Sequence, residues 1–513
     1  MGKMLFLIAL VLISSYPVEP ANILGIFPTP SISHQVVFHA LVKDLAARGH
    51  HLTVLTTDLI KINNPNVTQI DLHDSYEVLR TQFNFVEYKE SKSDELDLFR
   101  FFVPVMMDYL EDQLSHPEVK KLINKSDKKH FDLLIFEYLN YIPVLAFAEI
   151  YDCPAVGITS LETVSTVHED FGNIVNPVIH PDITFSYAHG QLTFDERWRS
   201  LKYYLKMKYG LQREIDSKFQ EILHRHFPMV TKSMDDMKGR VQLLMTNTNP
   251  AMGFIRPLLP NTIQLGFMHI EPPKPLPADD LKTFLDSSRN GVIYMSLGSN
   301  VQSKDLSPEV LQIFLKVFGS LSYDVLWKFE ADNLPNKPDN VKISKWLPQS
   351  DLLAHPKIKL FITQGGQQSM EEAIDRMIPM VVIPFLGDQD ANAKRVVRKE
   401  VGIHLELHTM TESKLLEAIN EVQKPKYKTN ILKLRELVYD QPMTSRDRAV
   451  WWTEYIIRHK GANHLEYPGK SVPFYQKYWF DFIGISVSVL VLVFVVIKSI
   501  IKFMTAVSKI KKE

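Results

Sequence analysis

The chain has 513 residues, of which 45% are hydrophobic and 23% are charged, and its formal net charge is −1. This length and composition predict a globular protein with more than one domain, and the neutral charge balance gives no reason to expect a nucleic-acid partner. The single cysteine, Cys153, excludes an intramolecular disulfide, and no histidine–cysteine cluster has the spacing of a metal site.

The N-terminal end has the pattern of a secretory signal. Lys3 precedes an uncharged apolar run over residues 4–13, and the small residues Ser14, Ser15 and Ala21 follow it. Because the run is too short to span a bilayer, we predict a signal peptide that is cleaved near Ala21. The alternative is an N-terminal membrane anchor. In a lumenal protein, Asn66 and Asn124 would be glycosylation acceptors, although such tripeptides also arise by chance.

An alternation of buried strands and amphipathic helices follows the signal and predicts an α/β domain. A strand at residues 23–27 is followed by a loop at 28–34, a helix at 36–49 and a strand at 52–56. Parallel α/β sheets bind ligands at the loop after a strand, and His34 lies there, at the helix entrance. Histidine titrates near neutral pH and suits a catalytic base, but a lone loop histidine is also commonly an exposed or capping residue.

A carboxylate that could orient His34 ends the strand predicted at residues 131–137. The apolar part of this strand is followed directly by Glu137. A histidine base works better when a carboxylate holds its second ring nitrogen, so Glu137 is the candidate partner. Two alternatives stay open: Glu137 is only the polar end of a strand, or Asp132, which precedes the apolar run, takes this role.

The second domain follows a proline-rich segment at residues 271–277. Its first strand ends at Gly298 and Ser299, where glycine lets a phosphate approach the backbone and the serine hydroxyl can donate to it. Trp346 follows a later strand, and an indole face on a loop suits a flat base. The alternative for Trp346 is a core anchor.

The most informative stretch covers residues 346–392 and predicts a strand–turn–helix–strand unit. A short apolar strand at 359–363 stops at a glycine pair at 365–366, and a second strand at 380–383 leads to an acid–amide pair at 388–389. A glycine turn at a helix N-terminus presents free N–H groups to an anion. On geometry alone, the glycine pair serves a tight turn just as well.

The residue pattern of this stretch resembles the signature of the UDP-glycosyltransferases, whose lumenal members conjugate sugars to small lipophilic acceptors. The positions that match in order and spacing are Phe361, Thr363, Gln364, Gly366, Ser369, Glu372, Pro379, Pro384, Asp388 and Gln389. The resemblance implies a GT-B-like α/β fold, in which two doubly wound Rossmann-like domains face a cleft. It also implies inverting transfer of a hexosyl group from a UDP-sugar to a hydroxyl of xenobiotic, phenolic or steroid-like acceptors. The UDP-sugar is the co-substrate, and no metal or other cofactor is expected.

The resemblance assigns roles to individual residues. His34 matches the catalytic base, and Glu137 stands where the family usually has aspartate to orient that base, so its extra methylene makes the geometry less certain. The matching donor contacts are Trp346 and Gln349 for uracil, Glu372 for ribose, Ser299, Gln364, Gly366, Gln368 and Ser369 for the diphosphate, and Asp388 and Gln389 for the sugar.

The chain departs from many relatives at Gln364, where they have histidine. Glutamine donates to a phosphate but does not titrate, so we predict that diphosphate binding depends less on pH near neutrality. Glutamine here is frequent in invertebrate relatives, which mostly use UDP-glucose, so the resemblance favours glucose over glucuronic acid. Two other classes stay open: a catalytically silent relative that binds a lipophile or partner, and a transferase that acts on lipid or protein.

The C-terminal end predicts a membrane-spanning helix. Residues 482–497 carry no charge, an aromatic belt precedes them, and Lys498 and Lys502 follow. The basic tail is expected in the cytosol, and its ending resembles the dilysine signal of endoplasmic reticulum proteins. We therefore predict a single-pass type I protein of the endoplasmic reticulum membrane with a lumenal body. The alternative is a buried core helix.

These predictions give the chain seven parts and leave its oligomeric state open. The parts are a signal peptide (1–21), an N-terminal acceptor-binding domain (22–270), a linker (271–288), a C-terminal UDP-sugar-binding domain (289–444), a return helix with lumenal connector (445–475), a transmembrane helix (478–498) and a basic cytosolic tail (499–513).

Overall fold

The structure, a computed structural model, describes residues 19–91, 96–125, 130–139, 141–185, 192–253, 255–470 and 472–510. The described chain divides into a body that ends at Leu465 and a C-terminal unit that begins at Glu466. The predicted signal peptide lies outside the described residues except for its last three.

The N-terminal half of the body is built on a seven-stranded parallel sheet with the order β3-β2-β1-β4-β5-β6-β7. Its strands are β1 (Asn22–Phe27), β2 (His51–Thr56), β3 (Val67–Asp71), β4 (Leu133–Glu137), β5 (Ala155–Thr159), β6 (Val241–Thr246) and β7 (Thr262–Gln264). Every residue of β4 and β5 is buried, as expected for strands covered on both faces. Because β1 pairs with β4, the loop after β1 begins beside the last residue of β4.

The C-terminal half is built on a six-stranded parallel sheet with the order β10-β9-β8-β11-β12-β13. Its strands are β8 (Val292–Ser296), β9 (Asp324–Lys328), β10 (Val341–Ser344), β11 (Ile358–Thr363), β12 (Met380–Val382) and β13 (Gly402–His404). β11 pairs with β8 on one side and β12 on the other, so the loops after these three strands meet at one edge of the sheet.

Helices cover both sheets. In the N-terminal half they are α1 (Ile32–Ala47), α2 (Ser75–Gln82), α3 (Phe85–Glu90), α4 (Asp97–Ser115), α5 (Pro117–Ile123), α6 (Ala146–Ile150), α7 (Ser165–Asp170), α8 (Phe194–Lys206), α9 (Gln212–His226) and α10 (Met234–Lys238). Later in the chain they are α11 (Asp280–Ser287), α12 (Pro308–Ser320), α13 (Gln349–Leu353), α14 (Gln367–Asp375), α15 (Gln389–Arg398), α16 (Glu412–Val422), α17 (Pro425–Tyr439), α18 (Ser445–His459), α19 (Phe474–Lys477) and α20 (Phe480–Ile510).

The return helix α18 packs on the N-terminal half. Its Ala449, Val450 and Ile456 are buried in the same apolar cluster as Ile23 of β1. The Nε of Arg446 donates to the Asp44 carboxylate of α1 at 2.6 Å. The chain therefore returns from the C-terminal half to the N-terminal half at α18. The two halves are connected here as well as through the predicted linker at 271–288.

Several element boundaries differ from the sequence predictions. α1 begins at Ile32, so His34 lies in its first turn and not before it. The predicted linker at 271–288 contains helix α11, whose N-cap Asp279 accepts from the N–H groups of Leu281 and Lys282.

The C-terminal unit contains one described helix that is long and apolar enough to cross a membrane, over Phe480–Ser508, and an 18-residue stretch within it has a mean hydropathy of 2.7. Helix α20 itself runs to Ile510. The helix therefore continues past residue 499 into the segment predicted as a basic cytosolic tail, for which the sequence analysis made no secondary-structure prediction.

Candidate active site

One cavity of about 460 Å³ lies between the carboxyl ends of the two sheets and takes its walls from both halves of the body. His34 lines it from the N-terminal half. All ten predicted donor contacts line it from the C-terminal half, namely Ser299, Trp346, Gln349, Gln364, Gly366, Gln368, Ser369, Glu372, Asp388 and Gln389. Two sets of residues that lie far apart in sequence therefore face one space.

His34 and Glu137 form a hydrogen-bonded pair at the N-terminal wall. His34 Nδ1 lies 2.7 Å from Glu137 Oε1, and the second carboxylate oxygen accepts the N–H of Thr29 at 3.1 Å. The Glu137 side chain is 1% exposed, whereas that of His34 is 15% exposed. A carboxylate only accepts, so it holds the proton on Nδ1 and leaves Nε2 as the acceptor. The extra methylene of glutamate therefore does not prevent contact.

Tyrosines support this pair from behind. Thr29 Oγ1 is hydrogen-bonded to the hydroxyl of Tyr141 at 2.7 Å, and that hydroxyl also contacts Tyr109. Burial, together with the Glu137 charge, raises the pKa of Tyr109 and of Tyr141. Both phenols therefore remain protonated, and the Glu137 carboxylate is hydrogen-bonded and shielded from solvent.

The turns after β8 and β11 require glycine where they approach each other. Gly298 has φ +87° and Gly365 has φ +85°, a region that side chains rarely adopt. A Cβ on Gly298 would lie 2.2 Å from the Nε2 of Gln364, so the glutamine amide occupies that space. The Oε1 of Gln364 accepts no hydrogen bond from any residue that the structure describes. Gly366 is the N-cap of α14, whose first N–H groups point toward the cavity end of the helix.

Gln368 makes a contact with the N-terminal half that the sequence analysis did not predict. Its Nε2 donates to the carbonyl of Ser160 at 2.6 Å, which lies in the N-terminal half. Its neighbour Glu371 is fully buried and accepts from the N–H of Phe267 at 3.2 Å and from Asn247. The first turns of α14 therefore hold the two halves together. Gln368 uses one of its two amide N–H donors there, and its role at the diphosphate stays a prediction.

The end of the cavity that is predicted to bind the nucleotide has one exposed ring over a half-buried polar network. Trp346 is 64% exposed, so the alternative of a core anchor was wrong, and the Nζ of Lys328 lies 5.8 Å from its ring centroid. Gln349 Nε2 donates to Ser369 Oγ at 2.9 Å and to Glu372 Oε2 at 2.7 Å. Burial raises the pKa of Glu372 to about 7, against the opposing effects of Gln349 and Arg376.

The sugar end contains a residue that the sequence predictions missed. Asn392 is fully buried, and its Nδ2 donates to Asp388 Oδ2 at 2.7 Å and to the carbonyl of Gly365 at 2.9 Å. Arg395 Nη1 donates to Asn392 Oδ1 at 2.6 Å. Asn392 therefore links the glycine turn to Asp388. The signal that could have found it is the spacing of four residues at the start of a helix, which places 388 and 392 on one face.

Gln389 has its carbonyl oxygen engaged by the loop before it. Its Oε1 accepts the N–H of Phe385 at 2.9 Å and that of Leu386 at 3.2 Å. The amide nitrogen is the remaining donor of this side chain.

Ser299 Oγ lies 3.5 Å from Asn300 Oδ1, and Asn300 in turn donates to Ser31 Oγ across the cavity at 3.1 Å.

The wall beside His34 is apolar and was not assigned from the sequence. Its side chains are Leu79, Phe85, Leu98, Phe99, Phe102, Met106, Leu139, Leu161, Val164 and Ile183. They come from α2, α3, α4 and three loops, so no single stretch of sequence carries the pattern. The wall suits a small lipophilic molecule whose reactive group points at His34.

One group of possible metal ligands lies outside the cavity lining. Asp390, His404 and Glu406 have ligand atoms within 4.8 Å of one another, although the sequence showed no metal spacing. The Nζ of Lys89 lies 3.8 Å from Glu406 Oε2 and competes with a cation there.

The predicted glycosylation acceptors differ in exposure: Asn124 is exposed after α5, and Asn66 is half-buried before β3.

Two solved glycosyltransferase structures share this architecture. Spinosyn forosaminyltransferase SpnP aligns with a TM-score of 0.55 at 15% identity, covering 85% of this chain and 99% of that one. The calicheamicin glycosyltransferase CalG4 aligns with a TM-score of 0.53 at 18% identity, covering 86% and 99%. The chain therefore shares the GT-B fold of these two structures, which confirms the predicted fold.

Relatives by sequence identify the family. The chain matches the family described as "UDP-glucoronosyl and UDP-glucosyl transferase" over residues 23–513. It is 32% identical over 468 residues to UDP-glucosyltransferase 2 of Dactylopius coccus, covering 90% of this chain and 89% of the relative. It is 29% identical over 493 residues to human UDP-glucuronosyltransferase 2B7, covering 91% and 90%. The chain belongs to this family and is an enzyme that transfers a hexosyl group from a UDP-sugar.

Proposed function

We propose that the enzyme transfers glucose from UDP-glucose, with inversion, to a hydroxyl of a small lipophilic acceptor. The observation that carries this proposal is the His34–Glu137 pair, which faces the predicted donor contacts across one cavity. The acceptor hydroxyl approaches Nε2 of His34 from the apolar wall. The UDP-sugar lies along the opposite wall, with its hexose between Asp388 and His34.

The chemistry is one displacement at the anomeric carbon. His34 Nε2 takes the hydroxyl proton as the acceptor oxygen bonds to the anomeric carbon, and the bond from that carbon to the diphosphate oxygen breaks. Glu137 stabilises the imidazolium that forms. UDP leaves with the electron pair, and the N–H groups at the start of α14, the amide of Gln364 and the hydroxyl of Ser299 stabilise its charge. These donors make a metal unnecessary in this proposal.

The charges around the cavity favour glucose over glucuronic acid. Among the described residues that line it, Lys328 is the one lysine or arginine, and its Nζ donates to the Gly298 carbonyl and to Glu330, both at 2.8 Å. Asp388 and Glu162 also line the cavity, and both would repel a sugar carboxylate. Relatives named as UDP-glucosyltransferases, including a viral ecdysteroid enzyme that is 32% identical, agree with this choice.

We place the enzyme in the endoplasmic reticulum membrane, as a type I protein with a lumenal body. The apolar helix over Phe480–Ser508 and the lysines at and beyond its end support this topology. The predicted signal peptide and glycosylation acceptors agree with it. A detoxifying role follows if the acceptors are foreign lipophiles.

A donor-by-acceptor screen on the detergent-solubilised full chain tests the proposal. UDP-glucose, UDP-glucuronic acid and UDP-galactose are combined with panels of phenols and steroids, and released UDP and glycoside are both measured. We expect glycoside from UDP-glucose with several lipophilic hydroxyls. Absence of UDP release with every pair would favour a silent lipophile-binding relative, and transfer only to added lipid or protein would show a different acceptor class.

Asn392→Ala is expected to lower kcat/KM for UDP-glucose more than it lowers the affinity for UDP. The variant frees the Asp388 carboxylate to rotate, so we expect kcat/KM for UDP-glucose to fall by about tenfold, from loss of about 1–2 kcal/mol of positioning. The Kd for UDP, measured by calorimetry, is expected to change by less than about threefold. Asn430→Ala on α17 is the control. An equal loss for UDP and UDP-glucose would contradict a role in positioning Asp388.

The affinity for UDP-glucose is expected to rise with pH through the pKa of Glu372, which is about 7. Ribose hydroxyls donate best to the ionised carboxylate, so binding lowers this pKa, and Kd falls by about fivefold between about pH 6 and pH 8. Gln364→His adds a group that is cationic at low pH beside the diphosphate. We therefore expect this variant to offset the loss of UDP-glucose affinity at pH 6.

The pH measurement has two controls. UDP-glucose is used because its phosphates do not titrate in this range, and Glu372→Gln is expected to remove the pH dependence. A wild-type Kd that is constant across the range would contradict the role of Glu372, and a Gln364→His profile identical to wild type would contradict the contact of residue 364 with the diphosphate.

A further inference from the structure

Helix α8 and the π-helical turn that continues it, Met207–Leu211, carry an apolar stripe that no described residue covers. Phe194, Trp198, Leu205 and Tyr209 are 77%, 57%, 44% and 50% exposed. Their spacing of four, seven and four residues places them on one face of a helix. We call these four side chains the α8 face.

The α8 face is not the surface that fixes this helix to the body. The opposite side carries Tyr203 and Met207, which are buried in a cluster with Leu96 and Phe185. Thr193 caps the helix in a reciprocal hydrogen-bond pattern with Glu196. The helix is therefore anchored and capped without its exposed stripe. A contiguous row of large apolar side chains in water is unfavourable and usually marks an interaction surface.

The charges along the stripe favour an anionic partner. Residues 194–209 carry five lysines or arginines and two acids, and both acids lie in the first turn. Arg197, Lys202 and Lys206 are exposed and flank the α8 face. Lys208 is paired with Glu169, so it belongs to the body side. Long basic side chains beside tryptophan and tyrosine are typical of helices that lie in a bilayer interface, where the cationic ends reach the headgroups.

We propose that the α8 face lies against the surface of an anionic bilayer, with its aromatic rings at headgroup depth. A bilayer is the occupant we infer because the surface is basic and aromatic, and because the chain carries its own helix long enough to span one. A second copy of the chain would place like charges of two α8 helices against each other.

This contact would adjoin the acceptor side of the cavity. The Tyr203 ring packs on Phe185 with centroids 5.2 Å apart, and the Tyr203 hydroxyl is hydrogen-bonded to Thr184. Ile183 and Thr184 line the cavity. A lipophilic acceptor dissolved in the bilayer would thus meet the enzyme next to its apolar wall. This consequence rests on the proposed acceptor class, whereas the bilayer contact does not.

A fluorescent label on the stripe tests the contact in the full-length enzyme. Cys153 is buried and is replaced by alanine, and bimane is attached to Leu205→Cys, which keeps Phe194 and Trp198 in place. The enzyme is reconstituted in nanodiscs of phosphatidylcholine with phosphatidylserine, with nitroxide-bearing lipid or aqueous iodide as quencher. We expect severalfold quenching by the lipid nitroxide and protection from iodide. Bimane at Glu309→Cys, an exposed position on α12, is the matched control. We expect it to be quenched by iodide and not by the lipid nitroxide.

Charge reversal separates the bilayer from other occupants. The triple variant Arg197→Glu, Lys202→Glu, Lys206→Glu is expected to lose most of the lipid quenching while its hexosyl transfer to a water-soluble phenol in detergent is unchanged. A label at 205 that stays open to iodide and unquenched by lipid would overturn the proposal. Protection from iodide in detergent without lipid would also overturn it and would indicate a second copy. Quenching by lipid and by iodide is measured without transfer, and transfer serves only to check the fold of the triple variant, so failure of the proposed function would be seen separately.

Discussion

Replacing His34 by alanine is expected to lower kcat for hexosyl transfer by on the order of 10³-fold, because the acceptor hydroxyl loses its general base. The Kd for UDP is expected to stay within about twofold, since the donor contacts lie on the other wall of the cavity. Transfer is measured by formation of glycoside, and UDP binding by calorimetry. The two readouts separate loss of chemistry from loss of the nucleotide site.

The control for this variant is His51→Ala, which removes an exposed histidine on β2. It is expected to leave both kcat and the Kd for UDP unchanged. Transfer by His34→Ala at a rate near that of the wild type would show that another group accepts the proton. A parallel fall in UDP affinity would instead show that the variant has disturbed the fold of the cleft.

Replacing Glu137 by glutamine is expected to lower kcat by on the order of 10²-fold, again without change in UDP affinity. The carboxylate accepts from Nδ1 of His34 at 2.7 Å. An amide at this place can donate to Nδ1 and favour the tautomer in which Nε2 carries the proton, which cannot act as a base. It also removes the negative charge that stabilises the imidazolium.

Glu137→Asp provides the graded comparison. Aspartate keeps the charge but is one methylene shorter, so the hydrogen bond lengthens unless β4 or α1 shifts, and we expect a loss of about tenfold. The expected order of kcat is therefore glutamate, then aspartate, then glutamine. Thermal unfolding of all three checks that the fold is kept. Equal activity of the glutamine variant and the wild type would show that Glu137 does not orient the base.

The pairing of His34 with Glu137 illustrates how far the sequence alone could go. The buried runs of β1 and β4 predict parallel strands, and in such sheets both residues lie at carboxyl ends. Sequence pattern does not state which strands are neighbours, so the distance of 2.7 Å depended on β1 pairing with β4. The resemblance to a family supplied that adjacency, and the structure agrees with it.

The donor wall was predictable in its composition but not in its internal contacts. Glu371 and Glu372 are adjacent in α14, and helical rotation points them in different directions. Glu372 faces the cavity, whereas Glu371 faces the N-terminal half, where burial raises its pKa to about 8 despite hydrogen bonds from Gln367, Asn247 and Phe267. A single sequence cannot tell such neighbours apart, because the distinction depends on where the other half of the body lies.

The residues that the sequence analysis missed share one property, namely that their partners are distant in sequence or specified by loops. Asn392 reaches Gly365, which is 27 residues away. The contact of Gln368 with Ser160, 208 residues away, was likewise missed, although Gln368 itself was predicted as a cavity residue. The apolar acceptor wall collects side chains from α2 to residue 183, and none of these segments has a motif of its own.

The anomeric configuration of the glycoside tests the central claim most directly. In the proposed displacement, the acceptor held by His34 attacks the anomeric carbon from the face opposite the departing UDP. UDP-α-glucose is incubated with the full-length enzyme and a phenolic acceptor, and the product is analysed by proton NMR before any secondary hydrolysis. We expect the β-glucoside as the product. An α-glucoside would contradict the single displacement and the assignment of His34 as the base that drives it.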